Sequence, residues 1–289
     1  MNHINPILAK NLLIRTRSVK FAISIAAFDI ILMLVSVFGY RISFNYNIND
    51  YIDFSSATDI YMLSSLLLLF MMIMIIPSIS CVGIAGERER ASFDLLLSTG
   101  ISPFRIIAGS FLESMIIIMI YAFSALPVLS IVFTVGGINL YNMAGLMLEI
   151  FLSAFFLVSF SVLASSLTGK IFRSTLISYI FIILTAVFTV VIPFIIYVMV
   201  RYLGSSINTG EDLSWISYIF MLNPFMDIGI MLSHQFGDIS YISALVSKFG
   251  IGSSMIDNWE LLSGGLRILF SVIFLLISSH VIDPVRKLI

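Results

Sequence analysis

The stretch GERERASFDLLLSTGISPFRII, residues 86–107, carries six charged side chains between two long apolar runs. Ser102 followed by Pro103 is a helix-start signal, because a capping hydroxyl and a proline at the first helical position favour initiation. Gly100 tolerates positive φ and can end a helix just before it. We therefore expect a helix that ends near Arg90, then a short helix, a second break and a new helix.

The composition is that of an integral membrane protein. Of 289 residues, 60% are hydrophobic and 11% charged, against about 25% charged in soluble domains, and the mean hydropathy is +1.10. A net charge of −1 provides no basic field for nucleic acid, so no nucleic-acid partner is expected. Cys81 and the three histidines fall in separate segments, which predicts no metal site.

Six apolar runs are long enough to cross a bilayer, at about 20 residues each: 21–39, 60–85, 106–134, 143–167, 175–200 and 264–282. Backbone amides in lipid must pair within their own segment, so each run is predicted to be a helix. The first run is too long for a signal peptide, and no A-x-A-like cleavage site follows it. We expect an all-α membrane protein with one transmembrane domain, 1–289.

Basic residues near the span ends predict the orientation. With a cytoplasmic N-terminus, eleven of the fifteen Lys and Arg residues fall in inside segments. The other four are placed outside, where acidic residues accumulate: Arg41, Arg201, Lys248 and Arg267. Both termini are therefore expected to be cytoplasmic, and a seventh span is disfavoured because it would place the basic C-terminal DPVRKLI outside.

Two further segments have recognisable patterns. Residues 1–20 are predicted to form an amphipathic interfacial helix whose basic side chains meet lipid headgroups. The outer stretch 201–263 contains an apolar part, 215–232, that Asn223-Pro224 interrupts. This part is either a broken, re-entrant hairpin or a helix pair lying on the membrane surface, and the pattern alone favours neither.

Within the cytoplasmic segment 86–105, spacing predicts three local features. Glu87 and Arg90 can pair along one helical face, and Ser92 can cap the short helix. Phe93, Leu96 and Leu97 share one side of that helix. This apolar side either packs against the chain's own helices or fills a groove on a soluble partner.

The same segment resembles the cytoplasmic coupling segment of permease subunits of type-2 ABC (ATP-binding cassette) exporters, G-E-(R/K)-E-x-G-T-x-(E/D)-L-L-L-(S/T)-x-P-(I/V)-S-P. Ala91 and Ser92 stand where the family usually has Gly-Thr, and Gly100 where proline is common. The stretch NPILAKNLLIRTRS, residues 5–18, is similar to the family's interfacial helix. Similarity at the level of residues covers about forty positions, and the order of elements fits the whole chain.

The resemblance implies that two permease subunits, identical or sibling, associate in a bacterial plasma membrane and that each rests its coupling helix on a separate ABC ATPase. It implies docking for the apolar side of the short helix. The implied coupling residues are Glu87, Arg88, Glu89, Arg90, Phe93, Asp94, Leu96, Leu97, Gly100 and Pro103. The sequence contains no G-x-x-x-x-G-K-(S/T) phosphate loop, so ATP and Mg²⁺ are expected on the partner, with no cofactor and no catalysis on this chain.

Three acidic residues lie within or at the edges of the spans: Asp29, Glu113 and Glu149. An ionised carboxylate in hydrocarbon is costly, so each is a candidate for the translocation path. A secondary transporter would instead show paired midplane charges and inverted repeats, and the sequence indicates neither. A non-transporting scaffold that recruits a cytosolic partner is the remaining alternative. Because few charges would line the path, the expected substrate of a transporter is hydrophobic or amphipathic.

Overall fold

The computed structural model of the chain describes residues 12–13, 15–45, 54–98, 100–130, 139–203, 215–237 and 257–282. Those residues form helices and contain no strand. The helices are α1 (Val19–Asn45), α2 (Phe54–Ser80), α3 (Val82–Glu89), α4 (Phe93–Ser98), α5 (Pro103–Ser124), α6 (Leu126–Ser130), α7 (Leu140–Thr168), α8 (Ile171–Ile183), α9 (Thr189–Leu203), α10 (Trp215–Phe220), α11 (Pro224–Phe236) and α12 (Trp259–Ile282). One π-helical turn, Leu184–Phe188, joins α8 to α9.

Six stretches are long and apolar enough to cross a membrane: Val19–Arg41, Thr58–Glu89, Pro103–Ser130, Leu140–Thr168, Ile171–Ile196 and Trp259–Ile282. Each overlaps one predicted run, so the prediction of six spans in an all-α membrane protein is confirmed. The predicted interfacial helix 1–20 is covered only at residues 12–13 and 15–20, and the C-terminal DPVRKLI lies outside the described residues.

The fourth span, α7, lies at the centre of the bundle. It packs against α2, α5, α8 and α12, and its buried residues include Leu146, Ile150 and Leu157. Buried serines on α7, such as Ser153 and Ser161, are small enough for neighbouring helices to approach closely. Two sites described below, one near the start of α7 and one near its end, therefore both include residues of this helix.

Three spans contain breaks that hydropathy does not predict. The second span is interrupted at Cys81, four residues after Pro77. The third is interrupted at Ala125, just before α6, so the expected helix 106–134 is not continuous, and residues 131–138 lie outside the described part. The fifth contains the π-helical turn, a form that usually marks a functional or strained site within an α-helix.

A serine of α7 occupies the break in the second span. The Ser165 hydroxyl accepts a 2.8 Å hydrogen bond from the Ala85 amide and donates a 2.8 Å bond to the Cys81 carbonyl. In a regular α-helix this carbonyl and this amide would bond directly, because they are four residues apart. Insertion of the hydroxyl into the ladder accounts for the separation of α2 from α3 and ties the break to the fourth span.

Candidate coupling site and buried charge cluster

The segment 86–105 has the helix order that its sequence predicts. α3 ends at Glu89, α4 covers Phe93–Ser98, and α5 begins at Pro103 in the first helical position. Ala91 and Gly100, which lie in the two breaks, both have positive φ, at 54° and 72°. Gly100 adopts this conformation without a steric penalty, whereas Ala91 carries a Cβ that disfavours it.

Two predicted local contacts are wrong, the ion pair of Glu87 with Arg90 and the capping hydrogen bond of Ser102. The Ser92 hydroxyl donates to both the main-chain carbonyl and the carboxylate of Glu87, and no ion pair joins Glu87 to Arg90 among the described side chains. The left-handed Ala91 turns the chain so that Ser92 returns onto Glu87, while Arg90, at the C-cap, is exposed. Ser102 has the extended backbone of an N-cap, but its side chain makes no capping hydrogen bond.

The apolar side of α4 faces this chain's own helices. Phe93 is only 6% exposed, belongs to the main core cluster, and lies under the Arg88 guanidinium at 4.8 Å from its ring centroid. Leu97 is half-buried and packs against the same core. The expectation that Phe93 and Leu97 form an exposed knob is therefore wrong, since both are taken up by internal packing. The hydrophobic side chain that α4 exposes is Leu95, at 71%, and the side chains of Asp94 and Leu96 lie outside the described part.

Arg88 and Glu89 contact the turn between the fourth and fifth spans. Arg88 Nη1 donates a 2.7 Å hydrogen bond to the Ser166 carbonyl, near the end of α7. The Glu89 Oε1 atom accepts a 2.8 Å bond from the amide of Ile171, the first residue of α8. A cation thus lies at a helix C-terminus and an anion at a helix N-terminus, the arrangement that helix dipoles favour.

The three acidic candidates for the translocation path are not brought together. Asp29 accepts a 3.0 Å hydrogen bond from the Ser124 hydroxyl, between the first and third spans. Glu113 is buried, with Oε1 3.9 Å from Arg15 Nη1 of the N-terminal segment. Glu149 of α7 lies 2.7 Å from Arg267 of α12. In the part of the chain that the structure describes, the three carboxylates thus have three different partners.

Glu149 belongs instead to a charge cluster, which we define as Glu149, Asp227 and Arg267. Arg267 Nη1 lies 2.7 Å from Glu149 Oε1, and Nη2 lies 2.8 Å from Asp227 Oδ2. The Trp259 indole donates a 2.7 Å bond to Asp227 Oδ1, and Arg267 Nη1 also donates to Ser153. The Arg267 side chain is completely buried, so the cluster joins α7, α11 and α12 through paired charges shielded from solvent.

Sequence analysis does not predict this cluster. The distribution of basic residues assigns Arg267 to an outer segment, but it lies inside α12 and is buried. A sign was available, because Arg267 falls within the apolar run 264–282 and a charge inside a span needs a partner. Its partners are 40 or more positions away on other elements, and spacing along one segment cannot identify them.

The Asn223-Pro224 break anchors the outer hairpin to the fifth span. Asn223 is fully buried; its Oδ1 caps α11 by accepting from the Phe225 amide at 2.9 Å. Its Nδ2 donates to the Ala186 carbonyl at 3.1 Å, within the π-helical turn, and to the Thr189 hydroxyl at 2.8 Å, just after that turn. The predicted break is thus present, and it is also an inter-helical contact.

Comparison with known protein families gives a match over nearly the whole chain. The model of the family described as ABC-2 family transporter protein matches residues 16–282, which include the segment 86–105, the charge cluster and all six spans. No curated protein sequence is a significant match. Because the family match extends over nearly the whole chain, this protein belongs to the ABC-2 family of transporter proteins.

Proposed function

We propose that this permease subunit of an ABC transporter is part of an ATP-driven exporter and takes its energy from a separate cytosolic ATPase. The observation that carries the proposal is the family match, which covers six spans and the charged segment 86–105 between the second and third spans. The sequence contains no phosphate-binding loop, so ATP and Mg²⁺ bind to the partner. On the basic-residue count, the segment 86–105 and both termini are cytoplasmic. The resemblance to type-2 ABC exporters favours a bacterial plasma membrane.

The surface proposed for the ATPase is the outward side of α4. Phe93 and Leu97 hold α4 against the bundle, and Leu95 projects from it with 71% of its surface exposed. An exposed leucine on a short helix suits an apolar groove on a soluble partner. Phe93 then supports the docking helix from behind.

A second permease subunit, identical or sibling, completes the transporter. The first and fifth spans support this part of the proposal, because only 17% of the residues along their most apolar windows are buried within the chain. Such faces contact either lipid or another transmembrane helix. The substrate class that fits an apolar path with few unpaired charges is a hydrophobic or amphipathic solute, peptide or lipid.

The outer hairpin α10–α11 is proposed to be re-entrant. Asp227 of α11 contacts Arg267, which in turn contacts Glu149, nine residues from the start of α7. At about 1.5 Å per residue, Glu149 lies roughly 13 Å along that helix. A helix pair lying flat on the membrane surface would not reach this depth, so the contacts favour insertion between the spans.

The charge cluster supplies one of the two features expected of an autonomous secondary transporter, a pair of charges within the spans. Its groups are engaged with one another, however, and Arg267 has no solvent exposure. Together with the family match, this favours a structural role for the cluster, so a secondary transporter is not proposed.

The test is recovery of an ABC ATPase co-expressed with the tagged permease. Leu95→Asp places a charge on the exposed side of α4, and we expect it to lower ATPase recovery and ATP turnover severalfold without changing the thermal stability of the permease. Leu261→Asp is the matched control, because Leu261 is 78% exposed at the start of α12, far along the chain from α4. The proposal fails if no ATPase accompanies the wild type, or if Leu95→Asp binds it normally.

A further inference from the structure

We propose that Arg88 and Glu89 transmit movement of α4 to the hairpin of the fourth and fifth spans, and that the turn 166–171 is the second element of the coupling site. This inference rests on the proposed function and names its route of transmission. In the sequence, these charges extend directly from the second span. Their contacts lead elsewhere.

The first step of the argument is that both ends of the turn are held. Arg88 Nη1 binds the Ser166 carbonyl at 2.7 Å, and Glu89 Oε1 binds the Ile171 amide at 2.8 Å. These backbone groups lie at a helix terminus, where intrahelical partners are missing. Charge-assisted hydrogen bonds to such groups are stronger than neutral ones. The turn is therefore expected to move together with the end of α3.

The second step is that α4 is connected to the same side chain. The Arg88 guanidinium lies over the Phe93 ring at 4.8 Å, and Phe93 is the first residue of α4. A displacement of α4 by a docked ATPase therefore acts on Arg88 directly and, through Arg88, on the end of α7. Ser92 adds a second connection, because its hydroxyl bonds to Glu87 one turn earlier.

The third step is that the turn is shaped to receive Arg88. Gly169 ends α7 with φ of 64°, and a Cβ there would lie 3.2 Å from Arg88 Cδ and 3.4 Å from Nη1. Glycine adopts this backbone conformation without strain and leaves room for the arginine side chain, whereas a Cβ would crowd it. The turn and the arginine are thus complementary in both shape and charge.

The fourth step concerns the second span itself. α3 is separated from α2 at Cys81, and the Ser165 hydroxyl of α7 fills the broken ladder there. The start of α3 is thus bonded to the fourth span through Ser165, which contacts Cys81 and Ala85, and its end is bonded there through Arg88 and the Ser166 carbonyl. Because the helix is interrupted at Cys81, movement of α3 is poorly transmitted to α2. In contrast, α7 is one continuous helix from Leu140 to Thr168.

A distance measurement on the purified permease tests the mechanical link. Spin labels are placed at Leu95→Cys on α4 and Phe172→Cys on α8, since both side chains are more than 70% exposed and the native Cys81 is fully buried. We expect one narrow distance distribution for the parent protein and a distribution about twice as broad when Arg88→Ala and Glu89→Ala are combined. Arg90→Ala is the control, because Arg90 is exposed beside them at the α3 C-cap, and it should leave the distribution narrow.

A second measurement on the ATPase complex separates transmission from folding. Labels at Phe104→Cys and Phe172→Cys, both exposed and away from Leu95, report the third and fifth spans. Vanadate-trapped ATP should shift their distance in the parent complex, and the Arg88→Ala, Glu89→Ala permease should bind the ATPase but lose this shift. Normal binding with an unchanged shift overturns this inference alone. Absence of any ATPase with the parent overturns the proposed function, and an unbroadened 95–172 distance in the double variant overturns the link itself.

Discussion

Arg267 and Glu149 form a 2.7 Å ion pair that is buried inside the bundle, although 118 positions separate them in the sequence. Arg267 also holds Asp227 of the outer hairpin. Removing two charges from solvent is costly, and only close geometry with additional hydrogen bonds compensates. Ser153 and Trp259 provide those bonds, so the three elements that meet here depend on one guanidinium.

Replacement of Arg267 by Gln is expected to destabilise the protein strongly, by about 3–5 kcal/mol, because two buried carboxylates lose their common partner. Glu149→Gln should cost less, since Arg267 keeps its ion pair with Asp227 and the new amide oxygen still accepts a hydrogen bond. The measurement is the thermal unfolding midpoint in detergent. Arg173→Gln, at an exposed position of α8, is the control; equal midpoints for Arg267→Gln and Arg173→Gln would contradict the assignment.

Close approach of α3 to α5 at Gly83 leads to a second prediction. A Cβ at Gly83 would lie 2.1 Å from the Ser110 hydroxyl and 3.2 Å from its Cβ, whereas at Gly86 the nearest side-chain atoms are at 3.5 and 3.7 Å. Gly83→Ala should therefore force the two helices apart and lower the unfolding midpoint, by an amount typical of overpacking, about 1–3 kcal/mol. Gly86→Ala adds the same methyl group at ordinary contact distance and should be near neutral. A reversed order of the two midpoints would show that the helices do not approach at Gly83.

Hydropathy predicted the number of spans and nearly all their positions, because the length of an apolar run is a local property. Helix breaks were predictable where the local chemistry is strong, as at Gly100 and Asn223-Pro224. The break at Cys81 was not, since it depends on a hydroxyl from α7. The orientation of α4 was also misjudged: periodicity shows which residues share a side, and the contact of Arg88 with Phe93 decides that this side faces inward.

The same limit applies to the charged residues. Glu149 was correctly singled out as costly inside a span, but the sequence could not show that its partner is Arg267. Asp29 is likewise a candidate for the translocation path, and its contact is the Ser124 hydroxyl between the first and third spans. Whether a carboxylate lines a path or stabilises a contact is decided by elements far away along the chain.

Asn223 combines a helix cap with an inter-helical anchor, and these two roles can be separated. Asn223→Ser retains a capping oxygen for the Phe225 amide but loses the donors to Thr189 and Ala186. Asn223→Ala loses both. We expect Ser to lower the unfolding midpoint and Ala to lower it further, by about another 1 kcal/mol for the cap. Hydrogen exchange of α11 should be faster in both variants; equal midpoints for Ser and Ala would argue against the cap.

Ala91 offers a test of the backbone in the coupling segment. Among the described non-glycine residues it is the one with positive φ, at 54°, and the permeases that this segment resembles usually have glycine there. Ala91→Val should destabilise the segment, because a β-branched residue fits the left-handed region poorly. Ala91→Gly should be neutral or stabilising, since relief of about 1 kcal/mol of strain offsets the added entropy of the unfolded chain.

The measurement for Ala91 is hydrogen exchange of the peptides that cover 86–98, which reports local opening of this segment. Val should speed exchange there and leave α12 unaffected, and Gly should leave the rate unchanged or slow it. Ala144→Val is the matched control, because Ala144 is exposed in the regular helix α7. A β-branched residue there should lower the stability of the helix by only about a few tenths of a kcal/mol. Faster exchange with Gly than with Val would show that residue 91 does not adopt the left-handed conformation in solution.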